Sequence, residues 1–126
     1  MSLEEVVMDQ SILESIKDVI GIDRRNTDFD RDLIIAVNAV LFIVYQEGLS
    51  DEPHTIKDNT SKWSDILIKG QPINLRTLIT WAGLKTKSIF DPPTSSALAT
   101  ALKESIDELE WRGFITQNYV GEIGEI

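Results

Sequence analysis

A chain of 126 residues with 42% hydrophobic residues and a formal net charge of −9 can bury one modest core but not two. It contains no cysteine, which removes disulfides, thiol nucleophiles and cysteine-based metal sites together. The negative excess repels phosphate and disfavours duplex binding through a basic patch.

The charge is unevenly placed. Residues 1–60 carry 13 acidic and 5 basic groups, whereas residues 61–126 carry 8 and 7. Between Lys62 and Lys87 the balance reverses, with Lys62, Lys69, Arg76, Lys85 and Lys87 set against Asp65 alone. Opposite charge on two parts of one small protein suits head-to-tail self-association, although two solvated faces that merely differ would have the same composition.

The opening residues, Met1-Ser2-Leu3-Glu4-Glu5, lack a positive n-region and an apolar h-region, so no secretory signal is expected and a cytosolic origin is the default. Residues 1–9, with Val6-Val7-Met8 between acids, read as a flexible lead. A first helix over 11–20 opens on Ser11-x-x-Glu14, a capping-box pattern. It continues through the stripe Ile12, Leu13, Ile16, Val19 and Ile20 and stops at Gly21, with Ile22 folding back onto it.

Asp28, Asp30 and Asp32 then fall in or near the first turn of a second helix over 29–47, where the macrodipole favours anions. Read as a calcium loop, the run needs glycine and glutamate where Leu33 and Ala39 stand, so no metal is assigned to it. Leu33 to Tyr45 is almost continuously apolar, broken only by Asn38. It is too short for a bilayer, which takes about 20 residues. A helix apolar all round must be covered all round, so it is either the central helix of the domain, the simpler expectation, or is buried on one face by another subunit. In both cases Asn38 needs a hydrogen-bond partner.

Residues 50–61 form a long polar loop carrying His54, the one histidine. With Asp51, Glu52 and Asp58 nearby a metal site can be drawn, but scattered acids around one histidine read as a solvated loop. Trp63-Ser64-Asp65-Ile66-Leu67-Ile68 is a short helix or a strand, which periodicity alone leaves open. After Gly70 and Pro72, Asn74 can cap a helix over 75–90 with Leu75, Leu78, Ile79, Ala82 and Ile89 on one stripe and Trp81 beside it. Gly83 within it costs about 1 kcal/mol relative to alanine, which predicts a close neighbour or a bend there.

Phe90-Asp91-Pro92-Pro93-Thr94-Ser95-Ser96 dictates geometry most tightly. Two prolines fix φ, remove donors and push the preceding residue out of the α region, so the helix must stop and turn a corner. Thr94, Ser95 and Ser96 can each cap the next helix, over 96–112, with Leu98, Leu102, Ile106 and Leu109 on its stripe. Glu104 and Glu108 share a face and could be imagined as a carboxylate pair, but Lys103 with Asp107 and Glu108 with Arg112 make the same face read as solvated ion pairs. From Gly113 to Ile126 an extended tail is expected, rich in strand formers over Phe114-Ile115-Thr116-Gln117-Asn118-Tyr119-Val120, which would have to pack on the domain or on a neighbour.

The run from Phe90 to Ser96, followed by Glu108-Leu109-Glu110-Trp111-Arg112, resembles the C-terminal half of small head-tail connector proteins, also called adaptor or head completion proteins, of long-tailed bacteriophages and prophages. Ile12-Leu13-Glu14-Ser15-Ile16-Lys17, Gly21-Ile22-Asp23, Asp28-Phe29-Asp30 and Trp63-Ser64-Asp65 resemble the same family in the same order. The resemblance implies a structural protein and no enzyme. It would be a ring matched to the portal's symmetry, contacting the portal and a neck or tail completion protein. Packaged DNA would be retained and would later pass through without specific binding. It implies assembly in the bacterial host cytoplasm and residence in the virion neck, with no membrane and no cofactor or metal.

The combined expectation is a single, mainly α domain over 1–126, a small helical bundle of about four main helices with long loops and an extended C-terminal tail. Asp91, Pro92 and Pro93 are its structural corner. Lys85, Lys87, Trp111, Arg112, Phe114 and Tyr119 are the candidate assembly interface. Two other classes stay open: a small acidic bacterial helical protein-protein interaction module without a phage role, and an enzyme using His54 or a carboxylate such as Glu104.

Overall fold

The computed structural model describes residues 8–113. Five helices are bounded within it: α1 (Ile12–Ile20), α2 (Asp30–Gln46), the single turn α3 (Trp63–Ile66), α4 (Leu75–Phe90) and α5 (Ser96–Arg112). Among the described residues no strand forms, and the one extended pairing is an isolated antiparallel bridge between Ser11 and Lys62. The bundle of four main helices is the fold, each helix within a residue of the bounds its sequence signals imply. The expected lead and tail lie outside the described residues, except for Met8, Asp9 and Gly113.

Local chemistry sets the ends. Ser11 Oγ accepts the Glu14 N–H at 3.2 Å. The Glu14 carboxylate leaves the capping box and instead accepts a hydrogen bond from Asn59 Nδ2 at 3.0 Å and lies 3.5 Å from Arg24. Gly21, at φ 86°, supplies the left-handed residue that ends α1, and the N–H groups of Gly21 and Ile22 both donate to the Lys17 carbonyl at 2.9 Å, closing the last turn. Asn74 caps α4, accepting the Thr77 N–H at 3.3 Å. Of the three hydroxyl residues before α5, Ser95 is the cap, accepting the Leu98 N–H at 3.4 Å.

The expectation that α2 is the central helix is corrected. That position belongs to α4, which packs against α1, α2 and α5 and buries Leu75, Leu78, Ile79, Trp81, Ala82 and Thr86. Gly83 is the reason. A Cβ there would sit far inside van der Waals contact with Val19 Cβ and Cγ1, so the bare glycine lets α1 cross α4 at backbone distance. Of the two outcomes its sequence allows, Gly83 marks a close neighbour. α2 lies to one side, burying Leu33, Ala36, Val37, Val40, Leu41 and Val44 and turning its other face outward.

The long loop is anchored rather than draped. Asn38 finds its partner in the backbone of Ile56, donating from Nδ2 to the carbonyl at 3.2 Å and accepting the N–H at 2.7 Å. That pair carries Ile56 into the core. The Ile12 N–H donates to the Ser61 carbonyl at 2.9 Å, and α3, a helix rather than a strand, delivers Trp63 into the interior. There its Nε1–H donates to Ser15 Oγ at 2.9 Å, and Ser15 Oγ donates to the Ile12 carbonyl at 2.9 Å. The buried indole is therefore satisfied, as a buried donor must be.

Candidate assembly surfaces

At the corner the Asp91 N–H donates to the Lys87 carbonyl at 2.8 Å, with Lys87 Nζ 3.9 Å from the Asp91 carboxylate. Phe90 meets Phe29 edge-to-face, centroids 6.1 Å apart, which ties the corner to the start of α2. Lys87, Asp91, Pro92, Pro93, Leu98 and Leu102 border an open groove. Lys85 is half-buried, and Ser88 Oγ donates to its carbonyl at 2.7 Å.

Among the described residues the candidate interface does not form one patch. Lys85 and Lys87 lie near the corner, whereas Trp111 and Arg112 stand at the far end of α5, about 20 Å along that helix at 1.5 Å per residue. Trp111 is 89% exposed, and Arg112 is paired with Glu108 at 2.7 Å. Phe114 and Tyr119 lie outside the described residues. The cations between Lys62 and Lys87 divide in the same way. The Lys62 N–H donates to Asp65 Oδ2 at 2.8 Å and Lys87 approaches Asp91, while Lys69, Arg76 and Lys85 make no ion pair among the described residues.

Two further features stand out: the first gives residues to the alternative the sequence left open, a face of the second helix not used by the core, and the second escaped the sequence reading. The first is an outward stripe on α2. Ile35 is 63% exposed and Phe42 48%, Ala39 is exposed between them, and Tyr45 lies beside Phe42 with centroids 6.1 Å apart. The 35, 39, 42 spacing puts them on one line of the helix. The signal was available, because a run that apolar exceeds what one buried face requires. The second is Lys17, 2% exposed. Its ammonium pairs with Asp30 at 2.7 Å and donates to the carbonyls of Asn26 at 2.8 Å and Arg24 at 3.3 Å. A buried charge so fully engaged is tolerable, and losing its partner would be costly. It locks the turn between α1 and α2 and so fixes where α2 begins.

The side chains with shifted carboxyl or ammonium groups lie on the exposed surface. Hydrogen bonds from Arg24 hold the Asp18 carboxyl below its ordinary range, and those from Arg25 do the same for Asp23. Thr60 lowers Asp58 likewise. These shifts favour the charged carboxylate, opposite to the raised value a general acid needs. Lys103 is raised by its hydrogen bond to Asp107, the i,i+4 pairing expected of an exposed face. Among the described residues no three histidine, aspartate or glutamate side chains converge as metal ligands, and no helix is long and apolar enough to cross a membrane.

The described surface thus carries an apolar helix stripe, a proline corner with its groove, and a helix end bearing an open tryptophan. No curated protein and no solved structure matches the chain. A family model described as "Phage connector protein" matches residues 12–120, a span that takes in every helix of the bundle, and the chain belongs to that phage connector family.

Proposed function

We propose that this connector protein acts by assembly rather than by catalysis, as a subunit of a ring in the virion neck, joining the portal to a neck or tail completion protein and leaving a channel for DNA. Family membership sets the role. The observation that carries the finer reading is the outward stripe of Ile35, Ala39 and Phe42 on a helix whose inner face already completes the core. Contiguous exposed apolar surface marks contact with another protein, and heterologous contacts that close make rings. The net charge of −9 supports a wall that DNA slides past, since the phosphate backbone finds no excess of cations to hold it. Family membership also displaces the reading of a bacterial interaction module unrelated to phage.

Sedimentation velocity over a wide concentration range, alone and with the portal protein of the same genome, tests this. A discrete ring, or co-sedimentation with the portal, is expected. A chain that stays monomeric throughout and ignores its portal overturns the proposal.

A further inference from the structure

Resting on the ring reading, we propose that Trp111 of one copy docks in the proline-corner groove of the next copy. The two halves of the candidate interface stand apart on one subunit because they meet between subunits. A closed heterologous contact needs two different patches on each subunit, and α5 carries both on one rigid rod. Leu98 and Leu102 line the groove with Pro92 and Pro93. Trp111 lies about 20 Å along the helix from Leu98 and about two and a half turns after Leu102, which puts it on the opposite side. Leu102 leans on the core, so Trp111 stands away from its own bundle and is 89% exposed. While α5 stays helical, no chain can place this indole in its own groove.

Size and charge both fit a second copy. The groove encloses about 400 Å³, within the range of sites that hold a compact organic group, and an indole set on proline and leucine buries a large apolar area for little lost rotamer freedom. Beside the groove, Lys87 and Asp91 stand four residues apart in a loose 3.9 Å contact, their spacing kept by the Asp91 N–H bond to the Lys87 carbonyl. Beside Trp111, Glu108 and Arg112 stand four residues apart at 2.7 Å. Both pairs have the one-turn spacing of about 5–6 Å, so when Glu108 is set on Lys87, Arg112 falls on Asp91 and the four charges alternate in sign. The neighbouring groups do not reverse this match. Asp107 is held by Lys103 at 2.8 Å, and Glu104 and Glu110 are set against a corner that also carries Lys85. Asp28, next to the Phe29 that meets Phe90, brings that corner near neutrality. Apolar burial therefore supplies the affinity, and the crossed pairs set the register.

The chain has no cysteine, so one probe can be placed at the groove. In the full chain, Thr94→Cys, at an exposed lining position, is labelled with a benzophenone maleimide and mixed with unlabelled heavy-nitrogen protein, alone at the highest soluble concentration and with the portal protein. The mixture is irradiated, digested with trypsin and mapped by mass spectrometry. Adducts from the light copy to the heavy peptide 104–112 are expected. Trp111→Ala should weaken self-association at least tenfold and leave the monomer's melting unchanged. Lys87→Glu and Glu108→Lys should each weaken it several-fold, and the two together should restore part of the loss, as a direct contact requires. Inter-copy adducts confined to other peptides or absent from an assembled sample, unchanged association of Trp111→Ala, or a double variant no better than the worse single one would each overturn the dock. A ring that forms with its adducts elsewhere rejects this dock and leaves the ring reading standing, whereas failure to assemble, alone or on the portal, removes both.

Discussion

Along the 16 residues of α4, Leu75, Leu78, Ile79, Trp81, Ala82, Gly83 and Thr86 are buried, while along the 17 of α5 only Ile106 is. Leu102 and Leu109 lean on the core from α5, and Leu98, on the same stripe, is 63% exposed. The two helices are nearly equal in length and are held by different forces. α4 is stabilised by what it buries. α5 draws on its own sequence: the Ser95 cap, the Lys103–Asp107 and Glu108–Arg112 pairs at 2.8 and 2.7 Å, and Ala97, Ala99 and Ala101 in its first two turns. A cap contributes about 1 kcal/mol and each surface pair a few tenths. At about the length where isolated helices become viable, that is enough when a few apolar contacts are added. The difference separates a helix that completes the core from one that leaves most of its surface open.

Substitutions should divide along that line. Trp63→Ala removes a fully buried indole and the donor to Ser15, and should cost about 3–5 kcal/mol, whereas Leu98→Ala should stay within about 0.5 kcal/mol. Urea unfolding of the two variants reads the contrast, and equal losses would break it. Gly83→Ala should cost about 1–3 kcal/mol by overpacking against Val19, against a gain of about 1 kcal/mol from helix propensity. In a Val19→Gly background the same change should become neutral or favourable, which a double-mutant cycle measures.

Replacing Pro92 and Pro93 by alanine should shift stability by about 1 kcal/mol or less per site, mainly through the unfolded chain, while altering oligomerisation because the angle into α5 is released. Unchanged melting and unchanged assembly would show that the corner organises nothing. The smallest effect is electrostatic. Asp18 is lowered by its hydrogen bond from Arg24, so its contribution to stability is present above the ordinary carboxylate pKa of about 4 and is lost as pH falls through the lowered folded value. Arg24→Ala should return the Asp18 midpoint to the ordinary range in an NMR titration, with little change in melting at neutral pH because the pair is exposed.

Most of the architecture was legible because each main helix carries its own punctuation: Ser11 and Gly21, Asn74 and the prolines, Ser95 and Gly113. Asn38 announced a partner, and Gly83 a close neighbour or a bend. What stayed hidden depends on which helix crosses which. Periodicity makes α2 the most apolar helix without saying that Gly83 gives the centre to α4, and nothing local marks Lys17 as buried until Asp30 is brought beside it. The candidate interface residues show the same limit: Lys87 came from the charge reversal and Trp111 from the family-like run at the end of the last helix, and the bundle sets Lys87 in α4 beside the corner and Trp111 at the far end of α5.

The central claim is that α2's outer stripe and the end of α5 are contact surfaces while the α1–α4 body is self-sufficient. Hydroxyl-radical footprinting of the free chain and of the portal-bound assembly reads it at the side chains themselves. The account predicts that oxidation of Phe42, Tyr45 and Trp111 falls sharply on assembly, with Trp63 and Trp81 unreactive in both states. Phe42, Tyr45 and Trp111 remaining as reactive in the assembly as in the free chain would contradict it.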